Sequence, residues 1–186
     1  MRVLQKAGLV LALALTMALL PAVGAPAKAA SASEINADAY ATMQKLYNRV
    51  RGGYDLASRA AGILVFPTVV KAGFGIGGEY GEGVLLIGNQ PTAYYNTISA
   101  SIGFQLGAQA RSVVIMFMTP QALANFRRKN GWKVGVDGSV AIVTLGVGGA
   151  IDTNTINKPV IGFILDNKGL MYNLTLEGSK ISRIDR

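Results

Sequence analysis

Between residues 61 and 83 the chain reads AGILVFPTVVKAGFGIGGEYGEG, with glycines at alternate positions. In an extended chain successive side chains point to opposite faces. Gly73, Gly75, Gly77, Gly81 and Gly83 therefore share one face, interrupted by Glu79, while Phe74, Ile76 and Tyr80 take the other. A strand with one bare face lets another backbone or a ligand come unusually close, or lets a sheet bend sharply. Either use needs a β-sheet around it.

The same stretch contains GFGIGG, a literal match to G-x-G-x-x-G. A dinucleotide fold places that pattern between a strand and a helix, with an acidic residue about 20 positions further on. Here the residues after it, 79–83, lead through a glycine turn into another strand, and positions near 98 hold Ile and Ser. The kinase loop needs a following Val and a Val-Ala-Ile-Lys strand, which are missing. Glu79 and Glu82, three residues apart in that turn, are expected to be solvated and not a catalytic pair.

Residues 1–29 form a separate unit. Arg2 and Lys6 precede an apolar run over 7–20, Pro21 breaks it, and Ala27-Lys28-Ala29 offers small residues where a signal peptidase reads, with Ala30-Ser31-Ala32 as a second option. The run is too short to span a bilayer comfortably. A cleaved secretory signal over 1–29, with cleavage extending to 32 as the variant, leaves a single domain from residue 30 to 186. That makes the protein exported, periplasmic or secreted, and open to peripheral attachment on an envelope membrane.

The chain has no cysteine and no histidine. Disulfides and a lipid-modified cysteine are excluded, so the core must carry the stability alone. Ordinary zinc, haem and copper sites, and nucleophiles that need a histidine base, are not expected. The reading is a non-enzymatic protein without cofactor or metal. Net charge is +8 for the whole chain, and +5 once Arg2, Lys6 and Lys28 leave with the signal. A basic exported domain fits anionic partners, phospholipid headgroups above all and not nucleic acid. The plainer reading is that the charge keeps the domain soluble.

Ser33 is placed to cap a helix over 34–51 that ends at Gly52-Gly53. Ile35, Ala39, Met43, Leu46, Tyr47 and Val50 form its apolar arc, flanked by Lys45, Arg49 and Arg51. Such a helix can lie in a membrane interface with its basic stems beside the apolar stripe. It can equally dock on its own domain, its acidic start and basic end suiting the helix dipole. A short helix over 55–60 follows.

Beyond Gly62 the period becomes two, with strands expected over 63–66, 71–80 and 84–87, and the cleanest alternation over 95–107. Residues 111–118 are apolar on both faces, as in a central strand. Thr119-Pro120 starts a second helix, about 120–130, whose last turn carries Arg127, Arg128 and Lys129. These three are either a phosphate-binding patch or cations at a helix C-terminus. A hairpin turning at Asp137-Gly138 with return strand 140–147, a polar loop over 152–158, a hairpin of 160–165 with 170–176, and an edge strand over 179–184 complete the reading. The fold class is α+β: a curled antiparallel β-sheet or closed β-barrel, with the N-terminal amphipathic helix and one further helix packed on it. A small outer-membrane barrel is the weaker option, opposed by the two helices and the polar Ser-Arg-Ile-Asp-Arg ending.

The blocks AGILVFPTVVKAGFGIGGEYGEGVL, SASIGFQLGAQARSVVIMFMT, ALANFRRKNGWKVGVDGSVAI and KGLMYNLTLEGSKIS, in that order, resemble the SYLF domain. This is the lipid-binding domain shared by bacterial exported proteins, yeast actin-patch proteins and their animal SH3-linked relatives. The resemblance runs from about residue 39 to 182. It implies binding of anionic phospholipids, phosphoinositide-like or bacterial acidic lipids, and assigns no catalytic residues. It also implies membrane contact by a basic amphipathic helix ahead of the core, here 34–51. The lipid-binding candidates are Lys45, Arg49, Arg51 and Lys71, with Arg127, Arg128 and Lys129 as a second patch. Charge reversal at Lys45 and Arg49 is then expected to weaken vesicle binding without lowering thermal stability. The alternative is a structural or interaction protein of the cell envelope that binds no specific lipid.

Overall fold

In the computed structural model residues 30–144, 155, 157–168, 176 and 178–186 are described; for 74–76, 101–107, 144 and 167–168 only the backbone is. The expected signal at 1–29, the end of the 140–147 strand, most of the 152–158 loop and the arm at 170–176 lie outside the described residues, except Leu176.

The first helix, α1 (Ala32–Arg49), begins two residues earlier than the sequence indicates. Ser31, not Ser33, is the N-cap. Its hydroxyl accepts from Glu34 N at 3.3 Å, while the Glu34 carboxylate accepts from Ser31 N at 2.7 Å. This reciprocal capping box satisfies two otherwise orphaned donors. α1 ends at Val50, and a turn through Gly52 (φ +78) leads into α2 (Gly53–Arg59).

Two very long strands follow. β1 (Gly62–Ile87) and β2 (Gln90–Phe117) pair antiparallel along their whole length. The three short strands expected over 63–87 are thus one. Gly81-Glu82-Gly83 is not a turn but paired strand opposite Asn96 and its neighbours. The chain reverses instead at Gly88-Asn89, both with positive φ (+55 and +62), as a tight primed hairpin turn requires.

The alternate glycines serve both uses of a bare strand face. Gly73 and Gly77 flank an irregularity where Phe74 pairs with Leu106 but Ile76 pairs with Ile102, so residues 103–105 on β2 oppose no partner. An uneven count of this kind bends a ribbon. Beyond the bend, the far half of β1 lies against its own beginning. A Cβ on Gly83 would overlap the Val65 carbonyl, and one on Gly81 would sit 2.8 Å from the Thr68 carbonyl oxygen.

α3 (Pro120–Arg128) is capped by Thr119, which accepts from Ala122 N at 3.1 Å. β3 (Trp132–Lys133), β4 (Ala141–Thr144), β5 (Val160–Lys168) and β6 (Lys180–Ile184) complete a six-stranded sheet among the described residues. Two expectations fail here. The segments either side of Asp137-Gly138 do not pair with each other: β3 joins β6, and β4 runs parallel to β5. β6 is not an edge strand, since it lies between β2 and β3. Local turn residues signal a reversal but not which strand takes the freed backbone groups. The result is α+β, a curled half-barrel sheet with helices packed on it.

Alternation along the strands sorts the core into two layers. Ile63, Val65, Val114, Met116, Ile161, Phe163 and Leu165 pack against Ile35, Ala39, Met43 and Leu46 of α1. Leu64, Phe66, Val113, Ile115, Phe117 and Ile164 take the other face, with Leu123 and Phe126 of α3 and Trp132. Phe126 stacks on Phe117 at 4.7 Å and meets Trp132 edge-on at 5.6 Å. α1 and α3 therefore lie on opposite faces of the sheet.

Candidate functional site

Sidedness decides which cations can act together. Lys45 and Arg49 belong to α1, and both are engaged by Asp166 near the end of β5, at 2.8 and 2.6 Å. The hydrogen bond from Lys45 is the main cause that holds the Asp166 carboxyl below the usual aspartate range, with Arg49 adding to it against the effect of burial. The pair tethers the helix whose apolar arc is already buried in the core, so α1 is a docked helix. Arg51 is exposed in the turn after it, and Lys71 is half-buried on β1 opposite Gln109.

Arg127, Arg128 and Lys129 are all exposed at the end of α3. Arg128 donates to Asn125 Oδ1, and Lys129 donates to Asp137 Oδ1 at 2.6 Å. Asp137 also accepts from the Lys133 backbone N–H at 2.8 Å, and these bonds hold its carboxyl below the usual range.

Three further cations join this patch that no single stretch of sequence contains. In the β3–β6 ladder Lys133 stands directly opposite Lys180, both exposed, while Trp132 and Ile181 point inward behind them. The Lys180 stem lies against Gly131, which turns with φ +84. Arg183, on the same strand, stands opposite Tyr95. Burial pushes the Tyr95 phenol up, and Arg183 and Arg127 both pull against it, which places the two guanidiniums about one ring. Directly opposed like charges destabilise a sheet. Lys133 and Lys180 thus stand side by side, at some cost, on the face of the β3–β6 ladder away from Trp132 and Ile181, while Arg183 shares the Ile181 face and sits with Arg127 at Tyr95. Lys133, Lys180 and Arg183 were missed from sequence because 133 and 180 are neighbours only through strand pairing, where β6 was read as an edge.

A further groove among the described residues lies elsewhere. It has a volume of about 770 Å³ and runs between the start of α1 and the outer side of β1, where Val70, Tyr80 and Ile98 are each about half exposed. Its ionisable lining is acidic: Asp38, Glu79 and Glu82. None of the sequence-chosen basic residues lines it. Glu82 accepts from Tyr80 at 2.6 Å and from Arg186, and Glu79 is buried against Arg111, so neither glutamate is the solvated turn residue expected from sequence. Gly81 and Gly83 made residues 81–83 look like a turn, although they are paired strand.

Among the described residues no group of three or more acidic side chains is placed to hold a metal, and no helix is long and apolar enough to cross a membrane. What the fold presents is a curled sheet between two helices, with cations gathered around the end of α3 and the β3–β6 ladder. Residues 98–185 match the family model Ysc84, described as Las17-binding protein actin regulator, the SYLF-type domain that the sequence blocks resemble. The match begins within β2 and takes in α3 and β3–β6, including Arg127, Arg128, Lys129, Lys133, Lys180 and Arg183. The glycine strand and α1 precede it. No curated protein matches the chain.

Proposed function

We propose that this protein is exported and binds anionic phospholipid surfaces peripherally, without catalysis, chiefly through the Lys133–Lys180 pair, with Arg127, Arg128 and Arg183 as neighbouring cations around the end of α3 and β6. One observation carries the reading: Lys133 and Lys180 are held face to face by strand register. An arrangement that costs stability in the free protein is relieved when a phosphate sits between the two ammonium groups. Lipid binding is what the SYLF resemblance implies, and the matched segment contains this surface. The earlier candidates Lys45 and Arg49 fit the role less well, because the Asp166 carboxylate already engages both.

Each Lys or Arg close to an acidic bilayer is worth about 1 kcal/mol, and the attraction fades beyond a Debye length. Binding should therefore be reversible and salt-sensitive. The test is flotation of the purified protein with phosphatidylcholine vesicles, with and without phosphatidylglycerol, at low and high salt. The protein is expected to rise with the acidic vesicles at low salt and to be released at high salt. If acidic vesicles fail to carry it at low salt, the proposal is wrong and a role as an envelope interaction protein takes its place.

A further inference from the structure

Five large apolar side chains are notably exposed among the described residues, and Val136 is the most exposed of them at 76%. Tyr54 is stacked edge-on against Tyr47 at 5.4 Å, and Val70, Tyr80 and Ile98 line the groove whose charges are acidic. Val136 alone stands among cations. It occupies the turn between β3 and β4, one residue from Asp137, which Lys129 and the Lys133 backbone hold.

That turn is built to be stiff. Gly135 N donates to the Gly138 carbonyl at 3.0 Å, Val136 N to the Lys133 carbonyl at 3.3 Å, and Asp137 N to the same Lys133 carbonyl at 2.9 Å. Its far end is seated on the core, since a Cβ on Gly138 would come within 2.7 Å of the buried Trp132 ring. The Asp137 carboxylate ties the turn to the end of α3. Such a scaffold presents one aliphatic side chain to water without an intramolecular reason.

We infer that this turn is an insertion tip: Val136 enters the headgroup–acyl boundary while Lys133, Lys180 and the α3 arginines take the surrounding phosphates. The idea rests on the lipid-surface reading above and adds its depth and orientation. The physical logic is that a cationic patch alone gives marginal binding, and a second, apolar anchor is needed for lasting attachment. A pre-formed turn loses little conformational freedom on insertion. The partner is an acidic bilayer because the ring around the tip is cationic; a protein groove with acidic walls is the competing outcome.

Two variants test it. Val136→Asp should leave the melting temperature unchanged and weaken binding to phosphatidylglycerol-containing vesicles on the order of tenfold. Val136→Trp adds an exposed indole to a chain whose single tryptophan is Trp132. Emission from the added indole should shift to the blue on those vesicles and stay put with phosphatidylcholine alone. Wild-type-like binding by Val136→Asp, or an unshifted emission from vesicle-bound Val136→Trp protein, overturns the tip while leaving the lipid-surface reading intact. Failure of the wild type to bind acidic vesicles overturns both.

Discussion

Arg111 and Glu79 meet inside the folded hairpin, the Arg111 NH2 group donating to both carboxylate oxygens at 2.8 Å. They stand on opposite sides of the bend, Arg111 near the root of the β1–β2 ribbon and Glu79 toward its tip. Their side chains are 2% and 4% exposed, so the pair is fully desolvated. Glu79 is the one side chain on the bare face between Gly77 and Gly81, and it reaches the only part of the interior where a cation waits among the described residues. Breaking a buried pair from one side leaves an uncompensated charge, at a cost of about 3–5 kcal/mol. Arg111→Met should therefore destabilise strongly in denaturant unfolding. Adding Glu79→Gln should recover most of that loss. A double variant as unstable as the single would show that Arg111 serves another partner more than Glu79.

The glycines of the same face make a graded prediction. Gly83→Ala puts a methyl onto the Val65 carbonyl and Gly81→Ala crowds the Thr68 carbonyl, both backbone atoms that cannot swing away. Overpacking of this kind costs about 1–3 kcal/mol. At Gly78 the nearest atom to an added Cβ is 3.9 Å away, so Gly78→Ala should be neutral or slightly stabilising through the unfolded chain. Melting temperatures of the three variants decide it; equal losses at all three would contradict the crossing of β1 on itself.

These residues also show how far the sequence could be read. The glycine alternation announced a strand that bends or is closely approached, and both proved true at different glycines. The two helices, the central strand at 111–117 and the α+β class were legible because each depends on local periodicity and caps. The continuity of β1 was not, since glycine composition imitates a turn when the reason for it, the Val65–Thr68 backbone, is distant in sequence. The basic surface was half legible for the same reason: Arg127 to Lys129 are contiguous, whereas Lys180 joins them only by register.

Lys133→Glu separates binding from folding. Opposite Lys180 it replaces a repulsive cross-strand pair with an attractive one, worth about 0.2–1 kcal/mol of added stability. Vesicle binding should nevertheless fall on the order of tenfold, since each cation near the surface contributes about 1 kcal/mol. A more stable protein that floats as well as wild type would remove Lys133 from the site.

On the other side of the sheet the expectation from sequence reverses. Lys45→Glu with Arg49→Glu would set three carboxylates together at Asp166, so this variant should melt lower while still binding vesicles. Acid titration reports the same tether. A carboxylate whose folded pKa is depressed contributes stability that is fully present above its unfolded value, about 3.9, and is lost as pH falls through the folded value. Wild type should lose stability on acidification below the ordinary aspartate range more steeply than Asp166→Asn, compared over the same pH series.

The capping box predicts where processing occurs. Cleavage after Ala29 keeps Ser31 and its bonds to Glu34, whereas cleavage after Ala32 removes the cap. On the proposal that the chain is exported, N-terminal sequencing of the mature protein should begin at Ala30. Ser31→Ala should lower stability by about 1 kcal/mol; an unaltered melting curve would deny the cap its role.

The turn at Gly88-Asn89 governs the order in which the protein can assemble. Two residues close a ribbon of more than twenty facing pairs, so the longest strands can zip outward from Ile87 and Gln90 without waiting for a distant segment. β5 and β6 then add to an edge whose register is already fixed. One residue inserted in that turn would exchange the two faces of the ribbon. With the two-residue turn kept, it would slip β2 by one residue against β1 and turn Arg111 away from Glu79.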